Sequence, residues 1–366
     1  MADTTCRWGF LSTAGIARKN WKAIRLSGNG TVSAVASRSQ NAADRFIDEC
    51  MQEVPMSSGR PAAVEGYEAL LQRDDVDAVY IPLPTSMRLE WVLKAAAAGK
   101  HVLCEKPIAG TLSDAQQMVD ACRSHGVQFM DGVMFSHSRR LDAMKPDLAK
   151  FCGNLRRITT QFTFNGGEEF NRENIRTDSR LEPHGCLGDL GWYTIRMILW
   201  AMDFQLPESV TARTLRQLQG SASPAGVPGE FSAELFFAGG VTASFYNSFV
   251  TEHSQLVTLS GDAGYISLDD FVLPSYSSER VWTGHQNYLE IDNCRWNMQA
   301  RPTRRSVNEY PGGEPNAQEV NMVRTFGDIV GSGQLDPFWP EIAIKNQTVL
   351  NACRESADND GARVTL

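Results

Sequence analysis

The chain has no C-x-x-C pair among its eight cysteines, and its six histidines are isolated, with no spacing that gathers metal ligands. Thiols scattered in this way read as reduced and mostly buried, which excludes a zinc site and a disulfide framework, so no metal is expected. No apolar run approaches the ~20 residues that a bilayer crossing requires, so a helical membrane span is excluded too. Positive charge is in deficit: 35 Lys and Arg stand against 43 Asp and Glu, a net charge of −8 with a pI near 5.4. With no basic stripe, a nucleic-acid partner is not expected. The opening stretch MADTTCRWGF lacks the apolar core of a signal peptide, which places the protein in the cytoplasm. There is no internal repeat and no low-complexity segment. What remains is length and apolar content: 366 residues, 42% of them apolar, fit two domains, each with a full core.

The first third alternates short apolar runs with helical periods. Arg7 to Leu11 reads as a strand, Ser12 to Gly15 as a turn, and a helix follows from about Ile16 with Ala17, Trp21 and Ile24 on its apolar face. This strand, tight turn and helix order is that of a dinucleotide-binding unit. Small residues in the turn let the backbone approach a pyrophosphate, helix-start amides face it, and Ser12 and Thr13 add hydroxyls. Val32 to Ala36 forms the second strand and ends at Ser37-Arg38-Ser39. An NAD enzyme commonly presents a carboxylate there. None is present, and Arg38 either holds a 2′-phosphate through charge-assisted bonds or is a solvated cation near a helix start.

Helices around Arg45 to Met51, Gly66 to Gln72 and Arg88 to Ala98 frame a buried strand, Ala78 to Ile81, and the loop Pro82-Leu83-Pro84-Thr85-Ser86. The stretch AGKHVLCEKP, Ala98 to Pro107, then runs from a helix end through the strand His101 to Cys104 to a proline-locked turn. Glu105 and Lys106 lie just outside the carboxyl end of a strand, where an open α/β sheet has its ligand crevice. Pro107 biases Lys106 toward an extended backbone, giving its ammonium a defined direction of exit. Lys106 is either a solvated loop cation or a functional one. Ser113-x-x-Gln116 reads as a capping box for a helix ending at Gly126, and Val127 to Met130 as the sixth strand.

After Asp131-Gly132 the period changes. Leu155 to Phe164, Ser209 to Leu215, Phe231 to Phe237, Val241 to Phe249, Gln255 to Ser260 and Tyr265 to Leu268 read as strands, several with alternating polarity. Alternation with short connections predicts an antiparallel sheet with one covered face. Gly220 to Gly229 and Arg301 to Asn316 read as loops. Helices follow near Ala317 to Val330 and Pro340 to Ala357. Gly188 to Leu199 has helical spacing that sets Asp189 and Tyr193 one turn apart on one face. Taken alone, they suit an N-terminal Asp meeting the helix dipole and a Tyr half-buried against the sheet.

The run Pro82-Leu-Pro-Thr-Ser through AGKHVLCEKP, and GCLGDLGWYTIR from Gly185 to Arg196, together resemble the glucose-fructose oxidoreductase, inositol dehydrogenase and MocA (Gfo/Idh/MocA) family of NAD(P)-dependent enzymes. Glu105 to Pro107 matches the family's EKP signature, and Asp189 with Tyr193 matches its Asp and, four residues on, Tyr or His. The Asp-x-x-x-Tyr form and Asn174-Ile175-Arg176 resemble the xylose and dihydrodiol dehydrogenase branch. The resemblance covers nearly the whole chain. It implies an α/β Rossmann dinucleotide-binding domain over residues 1–131 and an α+β domain with a large open antiparallel sheet over 132–366, for substrate binding and oligomerisation.

Aligned on the family, the G-x-G-x-x-G/A positions hold Ser12, Ala14 and Ala17. Residues expected at the cofactor are Ser12, Thr13, Ala14, Gly15, Ile16, Ser37, Arg38, Pro82, Leu83, Pro84, Thr85, Glu105 and Lys106, with NADP preferred and NAD the alternative. At the place of Arg88 the family usually has His. By the same resemblance Lys106, Asp189 and Tyr193 are catalytic and, with Arg176, hold a sugar or polyol lying between the domains. Tyr193 or Lys106 transfers the proton, and Asp189 orients hydroxyls. The implied activity is an NADP-dependent oxidoreductase of sugars, glycosides or cyclic diols. Alternatives are an NAD-dependent glycoside hydrolase of the same family and a non-catalytic dinucleotide sensor. The family commonly covers the sheet's free face with another subunit, so a homodimer or a dimer of dimers is expected, with Phe245, Phe249 and Leu268 as its apolar contacts.

Overall fold

The structure is a computed structural model and describes residues 5–366. Met1 to Thr4, part of the stretch behind the localisation reading, lie outside the described residues. In chain order the first elements are β1 (Cys6–Leu11), α1 (Gly15–Ser27), β2 (Gly30–Ser37), α2 (Gln40–Glu53), β3 (Ala62–Glu65), α3 (Tyr67–Leu71) and β4 (Ala78–Ile81). They continue with α4 (Thr85–Ala97), β5 (His101–Cys104), α5 (Leu112–Ser124), β6 (Phe129–Asp131) and α6 (Arg139–Asp147). Next come β7 (Leu155–Asn165), α7 (Gly167–Glu173), α8 (Gly185–Asp189), α9 (Gly191–Ala201), β8 (Ser209–Leu218), β9 (Val227–Phe236), β10 (Thr242–Ser248) and β11 (Val250–Gly261). The last are β12 (Tyr265–Leu268), β13 (Glu279–His285), β14 (Tyr288–Asp292), β15 (Arg295–Gln299), β16 (Pro302–Asn308), α10 (Gln318–Ser332), α11 (Phe338–Asp358) and β17 (Val364–Thr365).

Two compact units result: one runs to His137 and takes back Gly312–Gln347, and the other holds Ser138–Pro311 with Thr348–Leu366. In the first unit six parallel strands lie in the order β3-β2-β1-β4-β5-β6. The order reverses between β1 and β4, the point where such sheets bind ligands at their carboxyl ends. β4 is buried at every position and β5 at all but its first, which is why both read as continuous apolar runs. The helix before β5 stops at Gly99, whose φ of 71° lets the Lys100 amide return to the Ala95 carbonyl, 3.0 Å away. Thr111, in an extended conformation, caps α5 by accepting the Asp114 amide, so the expected cap at Ser113 lies inside the first turn instead.

Residues 312–347 pack with this unit and not with the second domain expected for 132–366. Phe326 of α10 is buried against Trp8 of β1, with ring centroids 4.9 Å apart. Arg324 donates to the Ser27 carbonyl, and Asn29 donates to the Arg324 carbonyl and to Asp328. Further along, buried Gln128 exchanges both amide hydrogen bonds with the backbone of Asp336.

The second unit is built on a nine-stranded sheet in the order β16-β13-β12-β11-β7-β10-β9-β8-β17, antiparallel except for the β7–β10 pair. Several strands or strand starts fall outside the sequence reading. The expected loop 301–316 contains β16, the expected loop 220–229 ends at Val227 where β9 begins, and β13 to β15 occupy a stretch with no expected element. Phe245, Phe249 and Leu268 are buried inside the chain, which corrects their expected place on the free face. Phe245 stacks on Phe231, and Phe249 packs on Phe164 and Phe170. The half-exposed face carries Gln161, Ser244, Tyr246 and the Arg157–Glu234 ion pair.

The β13–β16 edge is fixed by buried polar groups. Asp147, at the end of α6, accepts from Trp282 Nε1 at 2.9 Å and from Arg305 Nε at 3.2 Å. Among the described residues no helix is long and apolar enough to cross a membrane. Asp147→Ala strands the buried indole N–H, and a denaturant titration should show a loss of about 2–3 kcal/mol. Adding Trp282→Phe to that variant should cost much less than it costs in the parent, because the two changes remove one shared bond.

Candidate active site

Four loops leave the carboxyl ends of β2, β1, β4 and β5, which are neighbours in the first sheet. In the first, Ser12 has a φ of 142°, a value that L-residues rarely adopt, so serine takes the conformation usually left to the first glycine of a dinucleotide fingerprint. Its hydroxyl accepts the Ala14 amide at 3.1 Å. Ala14 at the start of α1 makes no side-chain cap, so the helix-start amides are open to an anion. Gly15 and Ile16 are exposed there. At the end of β2, Ser37 is buried, while Arg38 is exposed and makes no ion pair with described residues. Ser39 is committed to capping α2 through the Ala42 amide.

Tyr67 stands beside these two loops, a neighbour that the sequence alone does not single out. Burial raises its phenol, and the Ser12 hydroxyl and the Arg38 charge, both within reach, act the other way. These groups fit the phosphate-bearing half of a dinucleotide: a backbone able to come close, open amides, and a free guanidinium where a ribose-binding carboxylate would stand.

The other two loops are joined by Arg88, which is buried. Its Nε donates to the Leu83 carbonyl at 2.8 Å, and its Nη1 donates to Thr85 Oγ1 and to the Pro107 carbonyl. One planar guanidinium thus ties the turn after β4 to the turn after β5. Pro82, Leu83 and Thr85 are buried beneath it, and the Thr85 hydroxyl already has a donor. The Glu105 carboxylate is likewise engaged, accepting from Tyr80 Oη at 2.6 Å and from the Lys106 amide at 3.3 Å. Burial pushes the Tyr80 phenol well above its ordinary range, and the Glu105 charge adds to that. Lys106 leaves the chain next to this pair, half-buried, and the Lys106–Pro107 peptide is cis.

In the second unit the expected helix over Gly188 to Leu199 is broken. α8 ends at Asp189, Leu190 (φ −100°, ψ −39°) intervenes, and Tyr193 lies in the first turn of α9. Gly185 opens α8 at a φ of 48°, and a Cβ there would collide with the Pro228 carbonyl oxygen, so only glycine lets this start press on β9. Buried Asn247 receives the Thr194 hydroxyl at 3.2 Å and donates to the Phe162 carbonyl, fixing α9 to β10 and β7. Tyr193 packs edge-on against Phe162, with centroids 5.8 Å apart.

Arg176 gathers the group across the break. Its Nε donates to Asp189 Oδ2 at 2.8 Å, and its own amide is held by Asn174 Oδ1 at 3.1 Å. The Asp189 charge raises the Arg176 pKa most, and the Tyr193 phenol lies within electrostatic reach. Asn174, Arg176, Asp189 and Tyr193 therefore share one neighbourhood, held together by the guanidinium more than by helical spacing.

Residues 6–133 match the family model described as an oxidoreductase family with an NAD-binding Rossmann fold, and residues 149–267 match the GFO/IDH/MocA C-terminal domain. The chain belongs to this family of NAD(P)-binding oxidoreductases. It is 32% identical over 337 residues to a D-xylose 1-dehydrogenase (NADP⁺) from Haloferax volcanii, covering 89% of this chain and 97% of that one. It is 35% identical over 353 residues to a dTDP-3,4-didehydro-2,6-dideoxy-α-D-glucose 3-reductase from Actinomadura kijaniata, covering 96% and 95%. A crystal structure of a 3-ketoreductase from A. kijaniata with NADP and TDP-benzene superposes with a TM-score of 0.77 at 26% identity, over 96% of this chain and 98% of that one.

Lys19, on α1, lies behind the EKP turn and donates to Met134 Sδ at 3.4 Å. Burial pushes its ammonium below the ordinary lysine range, Glu105 and Glu319 pull it back up, and Lys106 pushes it further down. Between that lowered value and the ordinary one near 10.5, the unfolded chain holds the extra proton, so stability rises with pH across the window. Urea midpoints of the parent should gain on those of Lys19→Met as the pH rises toward the ordinary lysine value near 10.5. A pH-independent gap between the two would mean that the ammonium is not desolvated.

Proposed function

We propose that the protein is an NADP-dependent oxidoreductase that moves a hydride between nicotinamide and a hydroxyl-bearing carbon of a sugar, glycoside or cyclic diol. The observation that carries the cofactor choice is Arg38, exposed at the end of β2, a strand end with no Asp or Glu of its own. The Haloferax relative, named for NADP⁺, and the NADP-bound ketoreductase structure support it. Ser12, Thr13, Ala14, Gly15 and Ile16 take the pyrophosphate, Ser37 and Arg38 the 2′-phosphate end, and Pro82 to Thr85 with Glu105 and Lys106 shape the nicotinamide end. The bound cofactor supplies the hydride acceptor or donor.

The chain's own residues handle the oxygen and its proton. Free phenol and ammonium groups ionise near 10, too high to take a proton readily at neutral pH, so each needs help. Lys106 holds the reacting oxygen and Tyr193 carries its proton. Arg176, a cation within reach of the Tyr193 phenol, stabilises charge on that oxygen as the proton leaves. Asp189, steadied by Arg176, orients a neighbouring hydroxyl. A site of this polarity suits a hydroxyl-rich ligand, because its groups would be left unpaired against a hydrocarbon.

A second reading, reduction of a keto group on a nucleotide-linked sugar, rests on the 35% identity to the Actinomadura reductase. A panel of sugars, diols and keto sugars with both cofactors, followed by nicotinamide absorbance, separates the two readings. Tyr193→Phe should lower kcat by ~10²-fold or more and leave cofactor binding intact. Near-normal turnover in both Tyr193→Phe and Lys106→Ala would return the chain to the sensor reading. Arg38→Ala should cost about 1.5–3 kcal/mol of NADP binding and barely change NAD binding, and equal affinity of the parent for both cofactors would refute the preference.

A further inference from the structure

Ser12 holds a φ of 142° although it carries a Cβ, a conformation that glycine takes freely and other residues take under strain. The turn after β1 therefore needs supports that a glycine turn does not. One is local: the Ser12 hydroxyl accepts the Ala14 amide at 3.1 Å. A second comes from α3, through Tyr67.

Packing brings α3 to the turn. A Cβ at Gly9 of β1 would lie 2.6 Å from Leu70 Cδ2 and 3.0 Å from Val76 Cγ1, so it is the missing side chain at Gly9 that lets Leu70 sit directly on the strand. The start of α3 lies at the carboxyl end of β2, where the Gly66 amide donates to the Ser37 carbonyl at 2.8 Å. Tyr67, three residues before Leu70 and on the same helix face, is thereby set over the Ser12 end of β1. Its ring is fixed edge-on to buried Trp91, with centroids 4.9 Å apart and planes at 89°. The phenol oxygen reaches the Ser12 hydroxyl, and burial keeps it protonated, so it arrives as an O–H group able to donate. A hydroxyl has one proton and two lone pairs, so Ser12 can serve both Ala14 and Tyr67.

We propose that Tyr67 is a positioning residue for the cofactor: through the Ser12 hydroxyl it holds the turn after β1 in the shape a glycine would give, without touching the cofactor itself. This rests on the dinucleotide reading above. It assigns the Ser12 hydroxyl to the turn and leaves the Gly15 and Ile16 amides, at the start of α1, to the pyrophosphate. The pyrophosphate is common to NAD and NADP, so Tyr67 acts on both alike, whereas Arg38 acts on NADP alone.

Calorimetric titration of NADP and NAD into the full chain tests the proposal. Tyr67→Phe keeps the ring on Trp91 and removes only the hydroxyl, and the Kd of both cofactors should rise by the same factor, ~5–10-fold. Ser12→Ala keeps the Cβ and loses the hydroxyl, whereas Ser12→Gly loses both. The alanine variant should therefore bind both cofactors at least ~5-fold more weakly than the glycine variant. In the Ser12→Gly background, Tyr67→Phe should change binding by less than ~2-fold, because the bond it removes is already gone. Solvent exchange of the Ala14 amide, followed by NMR in the cofactor-free chain, reads the turn directly. Tyr67→Phe should speed it at least ~5-fold in the parent and leave it unchanged in the Ser12→Gly background. Equal losses in Ser12→Ala and Ser12→Gly would mean that the hydroxyl meets phosphate itself. A loss from Tyr67→Phe that is confined to NADP, or that persists in the Ser12→Gly background, would mean that the phenol meets the cofactor. Either result overturns the proposal, as does an Ala14 amide indifferent to Tyr67→Phe. A parent that binds neither dinucleotide would refute the cofactor reading instead, and the amide measurement would still decide whether Tyr67 holds the turn.

Discussion

A single buried guanidinium ties two neighbouring loops of the first unit together. Arg88 reaches the Leu83 carbonyl, the Thr85 hydroxyl and the Pro107 carbonyl, which belong to the turns after two adjacent parallel strands. Water is excluded there, so each acceptor would be costly to leave unpaired, and the two turns are held as one body. An imidazole, which the family usually has at this place, offers at most two donors and could not span the same three acceptors. The arginine therefore does structural work that leaves Lys106 and the backbone of the EKP turn at a defined exit from the sheet.

The second unit uses the same device differently. Asp189 and Tyr193 are separated by a change of helix at Leu190, and the element that keeps them in one neighbourhood is Arg176, from a short turn earlier in the chain. α9 itself is aimed by Asn247, whose amide links Thr194 to the Phe162 carbonyl. Position is set by buried polar bonds between elements; Gly185 lets the start of α8 press on the backbone of β9, and Gly191 leaves room for the Asn247 side chain.

The parallel strands were legible because β4 and β5 are buried on both faces and read as short unbroken apolar runs. The EKP turn and the missing carboxylate after β2 are local as well, whereas the reversal of strand order is set by pairing between distant segments. Alternation reveals the large sheet but does not say which of its two faces is covered, and Phe245, Phe249 and Leu268 lie on the buried side. The strands between Glu279 and Asn308 carry charged and polar residues at nearly every second position, or on one whole face, and local composition favours a loop there. Two overlapping capping patterns competed at the start of α5, and the backbone conformation of Thr111 decided between them. Tyr67, the Tyr80–Glu105 bond, Lys19 and the clamp formed by Arg88 all depend on contacts between distant segments, for which one sequence has no periodic signature.

All eight cysteines are free thiols, and seven are buried. Burial lifts the thiol of Cys50 to about 11 and those of Cys104 and Cys122 to about 12, so at neutral pH their nucleophilic thiolate forms are scarce. Cys294 is the exception, exposed in the two-residue turn between β14 and β15. Under mild alkylation the folded chain therefore presents one addressable sulfur, and a dye, spin label or surface tether can be placed there with no cysteine engineering. The same reagent, applied during unfolding, becomes a clock: each further thiol that reacts marks the opening of the core that had enclosed it.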